Sequence, residues 1–316
     1  MPDQLDQVIE SPQPERLGSG FVFTEGPVWH PEGHWLFVDL FREPSIICRL
    51  RPEEQVETIR EPSGMTNGMT LDLEGRLVMC EMETRQITRT EPDGSITVLA
   101  DKWDGKRLHR PNDIVGHSNG SLYFTNPSGG VDPEEREIDF AGVHRIAPDG
   151  SVSTVVTDTM YPNDLAFSPD ERTLYVANTR RDNGCQQEKD RGEVCPHQFI
   201  NAYDVASDGT VSNGRLFANM HSAEDGVPDG MKVDVEGRVY CTGPEGVWVF
   251  DHQGDHLGII RFPEIPANCA WGGPDNRTMF LPPVIPSSPC GCRRLAHPFR
   301  ERISARVRSR LDILKA

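Results

Sequence analysis

Six side chains bearing a carboxylate or amide oxygen recur at equivalent places along the chain. They are Glu25 (EGPVWHPEG), Asn67 (NGMTLDLEG), Asn112 (NDIVGHSNG), Asn163 (NDLAFSPDE), Asp229 (DGMKVDVEG) and Asn268 (NCAWGGPDN). Each opens a short run that turns and leads into a strand-like segment: LFVD, LVMCE, LYFTN, LYVAN, VYCTG and MFLPP in order. Asn and Asp open turns for local reasons, which accounts for some of the six. It does not account for Glu25, a poor turn residue in the same column. Oxygen donors gathered without His or Cys form a hard ligand set, suited to Ca²⁺, Mg²⁺ or Mn²⁺ rather than structural zinc. Glu25 and Asp229 would formally neutralise a divalent ion, with positions left for water and substrate. Such an ion polarises a carbonyl and lowers the pKa of bound water. That is hydrolytic chemistry on an ester-like bond, with no covalent intermediate required.

Nucleophilic catalysis finds no comparable constellation. The chain has no Gly-x-Ser-x-Gly motif, and its ten histidines lack HExxH spacing. Gly18-Ser19-Gly20 and Gly129-Gly130 lack the strand–loop–helix setting of a phosphate cradle and read as turns.

For the six oxygens to meet, places distant in sequence must converge. The steps between them are 42, 45, 51, 66 and 39 residues. This is the period of a propeller blade of about 40–50 residues, with a long insertion in one. Asp-x-x-Gly and Pro-Asp-Gly turns, as in LDLEGRLVMC and APDGSVSTVV, punctuate short β-type runs. The expected fold is all-β, a six-bladed β-propeller over residues 17–281, after an N-terminal extension at 1–16. The starts of the inner strands would ring one end of its channel. The paired motifs RPNDI (110–114) and YPNDL (161–165) are then the third and fourth units of that ring.

The net charge of −17 argues against nucleic acid or an anionic membrane as partner. No run approaches the roughly 18 apolar residues of a membrane span. The polar N-terminus reads as neither signal nor transit peptide, so a cytoplasmic location is expected. An acidic surface without an obvious apolar patch predicts a monomer. Cys48, Cys80, Cys241 and Cys269 lie in or beside apolar runs and read as buried thiols. Cys185 and Cys195 flank a charged loop with His197 nearby, one ligand short of a zinc set; they read as unpaired first, then as a local disulfide, with zinc last.

The chain closes on an atypical tail, 282–316. Four prolines in PPVIPSSP bar a central strand. The last 27 residues are basic, eight Lys/Arg against two Asp/Glu, and only ISARVRSRLDIL looks weakly helical. Two readings stand for this tail: a frame-shifted ending near residue 281 that leaves the last blade incomplete, or a basic partner-binding helix.

The stretches FTEGPVWHPEG, RPNDI…GSLYFTNPSGG, YPNDLAFSPDERTLYVANT, PDGMKVDVEGRVYCTGPEGVWVFD and NCAWGGPDNRTMF resemble the senescence-marker-protein/gluconolactonase/luciferin-regenerating-enzyme family. The resemblance runs in order from residue 17 to 280. It implies a propeller holding one divalent cation at the channel mouth, Ca²⁺ first, with Zn²⁺, Mg²⁺ or Mn²⁺ as alternatives. It places the metal ligands on Glu25, Asn163 and Asp229, and substrate contacts on Arg110 and Asn112. The activity implied is hydrolysis of sugar-acid lactones, with Asp229 or a neighbouring carboxylate as general base. Asn126 stands where many relatives carry Asp, either a charge lost near the site or a strand-end turn residue. Glu224 and Asp225 read as a solvated loop. Alternatives on the same site are a phosphotriesterase-like hydrolase and a non-catalytic calcium-binding propeller. The complete set of Glu25, Asn163, Asp229 and Arg110 favours an enzyme.

Overall fold

The computed structural model describes residues 5, 8–11, 15, 17–52, 54–179, 198–222, 224–262, 264–282 and 305–307. The Cys185–Cys195 loop, and the tail apart from 305–307, lie outside them. Asp-led turns set the strand lengths. At the turn 72–76 the Asp72 carboxylate accepts from the backbone N–H groups of Glu74 and Arg76 at 3.1 and 2.9 Å. Gly75 there takes φ 77°, a conformation that costs a residue without Cβ nothing. Asp234 and Gly237 repeat the device in a later hairpin.

Strands between such turns form up-and-down antiparallel sheets, and the fold is an all-β propeller. The first sheet runs Thr24–His30, His34–Asp39, Ile46–Leu50, Glu57–Arg60. The second begins at Thr66–Leu71, the third at Ile114–Gly116, the fourth at Pro162–Phe167 and the fifth at Met231–Val233, each of four consecutive strands. A further sheet begins with Ala270–Gly272 and Thr278–Phe280 and is extended by Ala305–Val307 and Ile9–Ser11. Ala305–Val307 lies within the segment read as weakly helical. It is instead a strand, paired antiparallel with Thr278–Phe280, because a free sheet edge offers unpaired N–H and C=O groups.

The opening strands of neighbouring sheets lie side by side, and Ala270–Gly272 packs back against Thr24–His30. The apolar core is divided between the sheets. Leu36, Val38 and Ile47 of the first sheet meet Met69 and Met79 of the second. Trp35, Phe37 and Cys48 on its other face meet Ala270 and Phe280. Cys48, Cys80, Cys241 and Cys269 are buried free thiols within this packing, and burial pushes the Cys48 and Cys269 thiols up to about 12.

In three sheets the end of the second strand anchors the loop that leads into its own sheet. Asp39 Oδ1 accepts from the N–H groups of Val22 and Phe23, both at 2.9 Å. Asn178 Oδ1 does the same for Met160 and Tyr161. Asn126 is the third member: its Oδ1 accepts from His109 N–H at 2.9 Å, and its amide nitrogen reaches His144 Nε2 at 3.2 Å. The strand-end reading of Asn126 therefore holds, and its oxygen is spent on backbone.

His144 is fully buried, bonded to Thr154 through Nδ1 and stacked on Phe124. Burial lowers its pKa to about 4, with His109 adding to the effect. An unfolded imidazole titrates near 6.5, so the native state resists a proton that the unfolded chain accepts. The stability contributed by neutral His144 is present above about pH 6.5 and is lost as pH falls towards 4. We expect roughly 3 kcal/mol to disappear across that window, and not in His144→Gln. Urea unfolding at pH 7 and pH 4.5 checks this; parallel losses in both proteins would refute it.

Candidate active site

All opening strands run in the same sense, so their first residues gather at one end of the channel. Glu25, Asn67 and Asn163 lie in the first turn-proximal residues of their strands, while Asn112, Asp229 and Asn268 stand two residues ahead of theirs. All six are buried, none more than 7% exposed. Polar groups taken this far from water need partners.

Asn268 supplies two. Its amide nitrogen donates to Glu25 Oε2 and to Asp113 Oδ2, each at 3.0 Å, while its oxygen accepts from the Cys269 N–H at 2.8 Å. One NH₂ group thus holds two carboxylates from different sheets. Burial holds Glu25 well above the usual carboxylate range, and the charges of Asp229 and Asp113 add to the rise. Asp113 is raised by burial and then by Asp164. Asp164 is bound by the Lys232 ammonium at 2.7 Å, which also donates to the Met231 carbonyl at 2.8 Å.

These four carboxylates and one ammonium carry three excess negative charges when ionised. Unbalanced buried charge costs several kcal/mol per ion. The Oδ1 of Asn67 is also buried without a hydrogen-bond partner. It belongs to the same mouth, since a Cβ on Gly26 would stand 2.1 Å from the Asn67 carbonyl. Excess carboxylate charge and an orphaned amide oxygen together fit a hard divalent cation.

Asn163 is tied to the same place by a short relay. Its amide nitrogen donates to Thr179 Oγ1 at 3.3 Å, and the Thr179 hydroxyl donates to the carbonyl of Pro228, the neighbour of Asp229. With the nitrogen so engaged, the oxygen is the group left to face a ligand. Asn112 is fixed through its backbone, accepting from Gly68 N–H at 2.7 Å and donating to the Thr125 carbonyl at 3.0 Å. Arg110 is half-buried, its guanidinium 3.8 Å from the Met65 sulfur. A Cβ on Gly130 would come within 2.4 Å of Arg110 Nη1, and one on Gly129 within 2.3 Å of the Tyr161 ring. The diglycine thus seats Arg110 and Tyr161, the residues two places before the two asparagines. Glu224 and Asp225 are exposed, as a solvated loop should be.

Sequence reasoning passed over Asp113, Asp164 and Lys232. The signals were present. Asp follows Asn in both Pro-Asn-Asp motifs, and Lys232 interrupts an apolar inner strand in GMKVD.

A family described as the SMP-30/Gluconolactonase/LRE-like region matches residues 23–282. A gluconolactonase of Zymomonas mobilis is 29% identical, with 88% of this chain and 81% of that protein covered. A pentonolactonase of Haloferax volcanii is 27% identical over 81% of this chain and 80% of its own length. Among solved structures, a gluconolactonase of Xanthomonas campestris superposes with a TM-score of 0.73 at 30% identity, covering 88% of this chain and 89% of that one.

Proposed function

The chain belongs to the SMP-30/gluconolactonase/LRE-like family, and from that premise we propose that it is a metal-dependent hydrolase opening sugar-acid lactones. The observation that carries the reading is the buried carboxylate cluster, with its excess negative charge, at the channel end. In this reading Glu25, Asn163 and Asp229 hold one divalent cation, Ca²⁺ by preference. A divalent cation held there would supply Lewis-acid polarisation of the lactone carbonyl.

The chain's own residues do the rest. Arg110 and Asn112 hold sugar hydroxyls and fix the ring at the mouth. Asp229 accepts a proton from the attacking water as the new C–O bond forms. The ring C–O bond then breaks, and the leaving ring oxygen takes back the proton held by Asp229, so that lactone and water become the open hydroxy acid.

The same reading takes residues 17–281 as the body of a six-bladed ring, whose last sheet is completed from outside that range by Ala305–Val307, next to Thr278–Phe280, and by Ile9–Ser11 at the edge. A monomer in the cytoplasm taking a small sugar lactone, and neither nucleic acid nor membrane, completes it. The test is a panel of aldonolactones followed by a pH indicator with Ca²⁺, Mg²⁺, Mn²⁺ or Zn²⁺, against an organophosphate. Lactone opening that is abolished by EDTA and restored by one of these ions is expected. No opening of any aldonolactone with metal bound would sink the proposal, and organophosphate turnover alone would favour the phosphotriesterase-like reading.

A further inference from the structure

The first hairpin turns at His30-Pro31-Glu32-Gly33-His34, the far end of the strand that Glu25 opens. Five residues of strand, about 17 Å, separate it from the channel mouth. His30 and His34 are a directly opposed cross-strand pair. Their rings stack at 4.6 Å and 15°. One ring nitrogen from each and a carboxylate oxygen of Glu32 all lie within 4.8 Å of one another. The Glu32 carboxylate is 3.9 Å from His30 Nδ1, and the Glu32 N–H donates to that nitrogen at 3.2 Å.

Stacking alone does not account for His34. Its side chain is buried at 3% exposure, and its Nδ1 has no hydrogen-bond partner. A buried polar atom left without a partner is destabilising. Burial, then the charges of His30, Arg51 and Arg49, hold His34 below the usual imidazole range. Its unpartnered Nδ1 leaves a ring nitrogen to give to a cation. Both arginines face carboxylates: Arg49 binds Glu57 at 2.7 Å, and Arg51 lies 3.9 Å from Glu54 and from Glu57. The cluster lines a cleft of about 870 Å³ between the first and second sheets, open to ions from solvent.

We propose that the His30–Glu32–His34 turn is a second cation site, for a borderline transition ion such as Zn²⁺, separate from the oxygen-lined channel. Two imidazoles and a carboxylate are a common zinc donor set, with a fourth position left for water. Bonds of about 2.0–2.1 Å in tetrahedral geometry draw ligand atoms to about 3.4 Å apart. That asks for an inward movement of about 1 Å from the present spacing, within the reach of side-chain rotation at an exposed Glu32. Imidazole donors exclude Ca²⁺, so the two sites sort ions by ligand type. A bound ion would pin the two strands of the hairpin together and stabilise the folded state alone.

The test keeps the channel filled with saturating Ca²⁺ and titrates Co²⁺, followed by its visible absorption, and Zn²⁺, followed by calorimetry. Wild type, His30→Gln and His34→Gln are compared. His30 is partly exposed, so its variant tests the site even if the buried His34 variant fails to fold. Expected is one Zn²⁺ or Co²⁺ equivalent in wild type that is lost, or weakened at least about tenfold, in His30→Gln, with lactone opening unchanged. Zn²⁺ should also raise the melting temperature of wild type and not of His30→Gln. Equal stoichiometry and affinity in wild type and His30→Gln would overturn the proposal, leaving a stacked histidine pair only.

Discussion

Asp229→Asn is expected to lower kcat for lactone opening by about 10²–10⁴-fold, the usual contribution of a positioned general base, with no recovery as Ca²⁺ is raised. Glu25→Gln should lose activity comparably at low Ca²⁺ and regain part of it at high Ca²⁺. The difference follows from the two environments. Glu25 is held by Asn268 and by the Gly26 N–H at 3.1 Å, so an amide of the same shape keeps its place and weakens ion binding only. Asp229 is 7% exposed and fixed through its backbone to the Thr242 carbonyl at 3.1 Å. An amide there keeps an oxygen for the ion and removes the proton acceptor. Steady-state kinetics across a Ca²⁺ series decides the matter. Full rescue of Asp229→Asn by metal would make Asp229 a ligand alone, and the base would then be sought at Asp113.

Gly230→Ala is expected to destabilise the protein by about 3 kcal/mol, lowering the melting temperature by roughly 5 °C or more, and to abolish activity in what remains folded. The added Cβ would stand 2.2 Å from Asn268 Oδ1 and 2.3 Å from Asn268 Cα. Backbone on both sides prevents escape: the Gly230 N–H donates to the Ala267 carbonyl, and the Gly230 carbonyl accepts from Thr242, both at 2.8 Å. Relief must come from Asn268, whose amide then leaves Glu25 and Asp113 facing each other without a shared donor. Gly116→Ala is the control, since its Cβ would meet nothing closer than the Leu71 carbonyl at 3.5 Å. Thermal melts of both variants check the argument. A Gly230→Ala protein with wild-type melting and turnover would show that the two strands do not approach so closely.

These two residues mark the limits of reading the chain directly. Asp229 was legible as a candidate because it recurs in a column with Glu25, Asn112 and Asn163, and a repeat exposes equivalent places by position. The turns were legible for the same reason: an Asp carboxylate bonding N–H groups two and four residues on is a local event, complete within the sequence that encodes it. Asn126 was ambiguous in sequence because a strand-end cap and a site residue use the same side chain. Its bond to His109 N–H decided that.

By itself the sequence determined the all-β repeat, its spacing, and six oxygen-bearing residues at the starts of its inner strands. Only the tertiary structure decided the charge balance among them. The Asn268 amide meets Glu25 from 243 residues away in the chain and Asp113 from 155. Lys232 meets Asp164 from a neighbouring sheet. Local propensity acts over a few residues, whereas a Coulomb interaction in a buried channel depends on which groups the closed ring brings within a few ångströms. Asp113, Asp164 and Lys232 acquire their roles from that closure, and no pattern along the strand states it.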